Sequence, residues 1–109
     1  MKQKIKNLTE LYPSDELMET ILTKGFEDSN KEVYNCGTDI RFSGSTCVSM
    51  ITYGKKLYTA NVGDSRAILI RAQSSGCLGI PITRDHKPED PIEAKTILEA
   101  DGRIDSYRD

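Results

Sequence analysis

The chain has 109 residues, 37% of them hydrophobic and 29% charged, with a formal net charge of -2. This allows one domain at most, burying roughly 60–70% of its unfolded surface, with a composition outside the disordered range. Lysines and arginines are interspersed among acids with no basic face, which argues against nucleic acid or a membrane surface as partner.

Residues 1–13 read as an unstructured lead-in. Lys2, Lys4 and Lys6 precede no apolar run, so the segment is not a signal peptide, and no stretch approaches the roughly 20 apolar residues of a membrane span. The three cysteines, Cys36, Cys47 and Cys77, form no C-x-x-C pair and suit no disulfide framework or zinc knuckle. Free thiols fit a reducing compartment. The expectation is a soluble protein, cytoplasmic or nuclear and not secreted. Cys47, inside an apolar run, is expected to be a small buried hydrophobe.

Pro13-Ser14 announces a helix, with Ser14 as N-cap and Asp15 and Glu16 at the positive end of its dipole. Leu17, Met18, Ile21, Leu22 and Phe26 recur at helical spacing, fading near 30–34. Gly25 costs about 1 kcal/mol against Ala here, and close packing is the expected reason for it. Residues 35–43 read as a polar loop. Three apolar runs follow: 46–51, 57–62 and 67–70, each rich in strand formers. The connectors around Gly54 and around Gly63-Asp64-Ser65 are short, which predicts successive antiparallel hairpins. The runs do not alternate cleanly between apolar and polar, so the sheet is expected to be covered on both faces. Residues 72–79 read as a loop and 80–83 as a short strand, with Pro81 marking an edge. A second helix follows, with Asp90 as N-cap, Pro91 at its first position and Glu93 closing a capping box. Ala94, Ile97 and Leu98 form its apolar stripe, and Gly102 is its stop. The order is α+β.

Taken singly, the chemistry-bearing residues have ordinary readings. Asp64 follows a glycine at a turn, which is common turn chemistry. Ser43-Gly44-Ser45-Thr46 is a small-residue entry into a strand and lacks the G-x-S-x-G nucleophile elbow. His86, the one histidine, lies in a polar loop where local hydrogen bonding is the ordinary role. A Ser-His-Asp triad can be written from Ser45, His86 and Asp64 on composition alone. Two-metal hydrolysis needs several converging carboxylates, and no local spacing supplies them.

The motifs carry more in their joint order. Ser43-Gly44-Ser45-Thr46 leads a strand, Ala60-Asn61-Val62-Gly63-Asp64-Ser65-Arg66-Ala67 leads another, and Thr83-Arg84-Asp85-His86-Lys87-Pro88 precedes a helix with Glu93. Ala100-Asp101-Gly102-Arg103-Ile104 closes the series. Together with the helix bearing Phe26 and Asp28, this resembles the central part of the type 2C, metal-dependent (PPM) protein serine/threonine phosphatase domain over residues 14–105. The resemblance implies that residues 14–109 are part of a four-layer α-β-β-α sandwich with antiparallel sheets. It implies hydrolysis of phosphoserine and phosphothreonine in phosphoproteins with Mn²⁺ or Mg²⁺, through a metal-activated water.

Residue by residue, Asp64 matches the family's Gly-Asp-Ser-Arg aspartate, linked with an additional, weaker metal site. Ser65 and Arg66 shape that turn, and Ser45 and Thr46 pack beneath it. The stretch Asp85–Pro88 matches a structural segment. The family's Asp-Gly-His-Gly-Gly motif and the phosphate-gripping arginine, which come earlier in the domain, are absent. Its Asp-Gly-Leu-Trp-Asp and Asp-Asn motifs would follow residue 109, and the chain has no tryptophan. The expectation is therefore a fragment that binds no metal tightly and is inactive alone, Asp64 serving an accessory site only. The alternative is a phosphatase-derived binding or regulatory module without catalysis.

Overall fold

The computed structural model describes residues 13–106. The expected lead-in lies, save Pro13, outside the described residues. The elements in chain order are α1 (Asp15–Tyr34), β1 (Cys47–Tyr53), β2 (Lys56–Val62), β3 (Ile68–Gln73), β4 (Gly76–Pro81) and α2 (Pro91–Glu99). The α+β expectation holds, with two two-stranded sheets of order β1-β2 and β3-β4.

The described residues divide into two units: 13–44 with 51–60, and 45–50 with 61–106. In the first, Ser14 Oγ accepts from the Leu17 N–H at 3.1 Å, which satisfies a donor the first turn of α1 leaves open. The inward stripe is Met18, Leu22 and Phe26, of which Met18 is buried and the other two half-buried; Leu17 and Ile21 face solvent. Asp15 Oδ1 accepts from Lys56 Nζ and from Tyr58 Oη, each at 2.7 Å, which ties the start of α1 to β2. These bonds hold the Asp15 carboxyl below the usual aspartate range, the Lys56 bond being the larger cause, and the Asp15 bond raises the Tyr58 phenol. Tyr58 and Met18 are the buried hydrophobic residues among those described. Nothing lies within 4 Å of where a Cβ on Gly25 would stand, so close packing does not explain that glycine.

In the second unit the expected β2–β3 hairpin does not form. β3 pairs antiparallel with β4 in the register Ile68↔Pro81, Ile70↔Gly79, Gln73↔Gly76. The physical reason lies in residues 63–67, whose backbone groups are claimed elsewhere. Ala67 N donates to Thr83 Oγ1 at 2.9 Å, Ala67 O accepts from Ile82 N at 3.1 Å, and Gly63 O accepts from His86 N at 2.9 Å. The expected loop over 72–79 is instead the tip of this second hairpin, its turn at Ser74-Ser75 followed by Gly76, a glycine position that suits a type I turn.

The expectation of covered sheet faces also fails among the described residues. Every residue of β3 is exposed, with Ile70 at 71%, and in β4 Ile80 is half-buried while the rest are exposed. A two-stranded hairpin buries neither face by itself, so its apolar side chains stay in solvent until another layer covers them. The same reason places Cys47, expected inside, among three free and exposed thiols.

α2 starts as expected at Asp90, whose Oδ1 accepts from the Ile92 N–H at 2.9 Å, with Pro91 following. The capping box does not close. Asp90 N donates to Lys87 O at 3.0 Å, and the Glu93 carboxylate pairs with Arg84. The stop is shifted by one residue. Asp101 takes the left-handed conformation with φ 58°, Gly102 N donates to Ile97 O at 2.8 Å and Asp101 N to Leu98 O at 3.1 Å, the two bonds of a Schellman motif. Leu98, placed in the apolar stripe, is exposed.

Candidate functional site

Thr46, Asn61, Asp64, Ser65, Arg66 and His86, quoted from sequence, lie at or beside the turn between β2 and β3. Gly63 adopts φ 98°, which an L side chain rarely adopts. A Cβ there would stand 2.8 Å from Thr46 Cβ, so Thr46 fills the space that the missing side chain leaves. Thr46 Oγ1 and Ser65 Oγ share a hydrogen bond of 2.6 Å, and together these contacts brace both ends of the Gly63-Asp64-Ser65 turn. Asn61, the last but one residue of β2, donates from Nδ2 to Gly63 O at 3.2 Å and to Arg84 O at 3.1 Å. Asp64 is exposed at the tip.

The far side is supplied by residues 83–93. Arg66 forms a fork with Asp85, Nε to Oδ1 at 3.0 Å and Nη2 to Oδ2 at 2.7 Å. Bidentate pairing of this type fixes geometry as well as charge. The Arg66 guanidinium holds the Asp85 carboxyl below the usual aspartate range, and Arg66 is itself raised. Arg84 in turn spans Asp90 and Glu93, fastening the start of α2 to the same segment. His86 accepts the Gly63 N–H on Nδ1 at 3.3 Å.

The triad written from Ser45, His86 and Asp64 is not assembled. Ser45 Oγ donates to Thr46 O at 3.0 Å, and the His86 ring faces Gly63. In the other unit, Asp28 pairs with Lys24 at 2.7 Å across one helical turn. Sequence reasoning quoted Asn61, Thr83 and Arg84 as letters of motifs without giving them partners. The bonds from Asn61 to Arg84 O and from Ala67 N to Thr83 cross 23 and 16 positions, a separation that carries no local pattern. The strand-forming Thr and the Asn before a turn glycine were the signals available.

Divalent magnesium and manganese prefer several hard oxygen donors. Among the described residues, no group of three or more His, Cys, Asp or Glu side chains could hold a metal ion. Asp64 contributes one carboxylate, so the described residues do not by themselves fit a metal centre. No helix among the described residues is long and apolar enough to cross a membrane.

The family model for Protein phosphatase 2C matches residues 1–108, and the chain belongs to that family. It is 43% identical over 72 residues to Probable protein phosphatase 2C 12 of Oryza sativa subsp. japonica, covering 65% of this chain and 18% of that protein. With Probable protein phosphatase 2C 33 of Arabidopsis thaliana it shares 36% identity over 106 residues, 93% of this chain and 21% of the relative. With Probable protein phosphatase CG10417 of Drosophila melanogaster the figures are 44% over 62 residues, 57% and 9%. The chain thus spans about a fifth or less of the length of these relatives. No solved structure matches it significantly.

Proposed function

We propose that the chain is the central part of a Mn²⁺- or Mg²⁺-dependent phosphatase that hydrolyses phosphoserine and phosphothreonine in phosphoproteins, in the cytoplasm or nucleus. The family match across nearly the whole chain carries this reading. Metal ions held by the complete domain would supply an activated water, the chemistry the family resemblance implies. The contribution of these residues is the braced turn that presents Asp64, which we assign to an accessory metal site, with no residue of this chain catalytic. The 109-residue chain is inactive alone, because one exposed carboxylate does not make a two-metal centre.

The test compares release of phosphate from phosphoserine and phosphothreonine peptides, with Mn²⁺, by the 109-residue chain and by a longer protein that contains it. Activity in the longer protein and none above blank in the chain is expected. Turnover by the chain that Asp64→Ala abolishes would overturn the account of the ligands. The apolar faces of β3 and β4, exposed at Ile68, Leu69, Ile70 and Leu78, favour one second reading, a non-catalytic binding or regulatory module that uses them. A longer protein with no phosphatase activity would decide for it.

A further inference from the structure

His86 is the single histidine, and the phosphatase reading places it only in a structural segment. In the structure it grips one residue twice. Its backbone N–H donates to Gly63 O at 2.9 Å, and its ring Nδ1 accepts the Gly63 N–H at 3.3 Å. Gly63 O also accepts from Asn61 Nδ2. That oxygen belongs to the peptide group joining Gly63 to Asp64. A peptide group is planar, so holding its oxygen from two sides sets the direction in which the chain enters Asp64. The ring bond holds the preceding peptide group in the same way, and Thr46 fills the space beside the Gly63 Cα. The ring is half-buried while Asp64 is exposed. His86 therefore acts on the turn and not on whatever the turn binds.

We propose that His86 is a positioning residue, whose Nδ1 acceptor fixes the Val62–Gly63 peptide group and, through Gly63, aims the Asp64 carboxylate. Its consequence for turnover rests on the phosphatase reading; the lock itself does not. The backbone bond survives any non-proline substitution at 86, so substitutions isolate the ring. Asparagine places Oδ1 as many bonds from the backbone as histidine places Nδ1, whereas glutamine carries its acceptor one bond further and alanine has none.

Amide hydrogen exchange of Gly63 in the full chain, followed by NMR for wild type, H86N, H86Q and H86A, tests the lock. Protection of Gly63 is expected in wild type and H86N, and a loss of about 5- to 10-fold in H86Q and H86A, with the Ala67 and Ile82 amides unchanged. An unprotected Gly63 in wild type, or equal protection in H86N and H86Q, would overturn the proposal. If H86A loses protection at all three amides through unfolding, the comparison of H86N with H86Q still decides.

In a phosphatase domain containing these residues, H86A and H86Q should lower kcat by about 10-fold or more with little change in KM, as misplacement at a distance does. H86N should recover the loss, and equal losses in H86N and H86Q would refute the aiming role. A wild-type domain without activity refutes the phosphatase reading and leaves the exchange result standing.

Discussion

Gly63 shows what one residue can decide. Its φ of 98° costs an L side chain about 1–2 kcal/mol, and Thr46 occupies the position a methyl group would need. Gly63→Ala is therefore expected to destabilise the chain by about 2 kcal/mol or more, adding the strain of a forced methyl. A urea midpoint lowered at unchanged m-value would show it; an unmoved midpoint would mean that Thr46 yields freely. Asp85 offers a second test, through pH. Its folded carboxyl titrates below the ordinary aspartate value because of Arg66. The pair thus contributes stability that is fully present above the unfolded value of about 3.9 and lost as pH falls through the lower, folded one. Asp85→Asn should lower stability at pH 6 and converge with wild type well below pH 4. Parallel curves across that range would remove the pair from the acid response. Asp64 as a turn residue was readable from its glycine neighbour. Its brace was not, because His86 lies 23 positions from Gly63 and hydrogen bonds of that span have no signature in spacing.

At the scale of elements, both helix starts were legible, since Ser14 and Asp90 cap through local bonds of their own side chains. The stop of α2 was misplaced by one residue. Sequence reading assigns the left-handed position to the glycine, but Asp101 takes it and Gly102 has a different duty. A Cβ on Gly102 would stand 2.7 Å from Ile97 Cγ2 and 2.8 Å from Ile97 O, the oxygen that Gly102 itself bonds. Gly102→Ala should cost about 1–3 kcal/mol as overpacking and fray the end of α2. Loss of protection at the Gly102 and Asp101 amides would report it, and full protection would show that Ile97 can move aside. The hairpin of β3 and β4 was missed for a related reason. Gln73-Ser74-Ser75-Gly76 has turn chemistry, but β4 contains two glycines and ends in proline, residues depleted in strands. Pairing with β3 overrides that weak preference.

For the molecule as a whole, the decisive observation is where the apolar side chains end up. Ile68, Leu69, Ile70, Leu78, Ile92 and Leu98 are all exposed, although their pattern is that of core residues. Sequence reasoning expected cover on both sheet faces because the strands lacked polar alternation. Among the described residues that cover is missing, because each sheet has two strands and such a hairpin buries neither face by itself. The four-layer sandwich that the family resemblance implies would bury them, and the chain spans only about a fifth of relatives such as the rice and Arabidopsis proteins. A paired measurement follows. In the 109-residue chain Ile70, at 71% exposure, has little to lose, so Ile70→Ala should change stability by no more than about 0.5 kcal/mol, as surface substitutions do. In a longer protein that covers the hairpin, the same change should cost about 2–5 kcal/mol, as for a buried isoleucine. Denaturant titration of both proteins, each with and without the substitution, gives the two differences. A large cost already in the short chain would mean that Ile70 packs without help and that the bare faces are not waiting for a further layer. A small cost in both would point instead to a face kept free for a partner, which is what the non-catalytic reading requires.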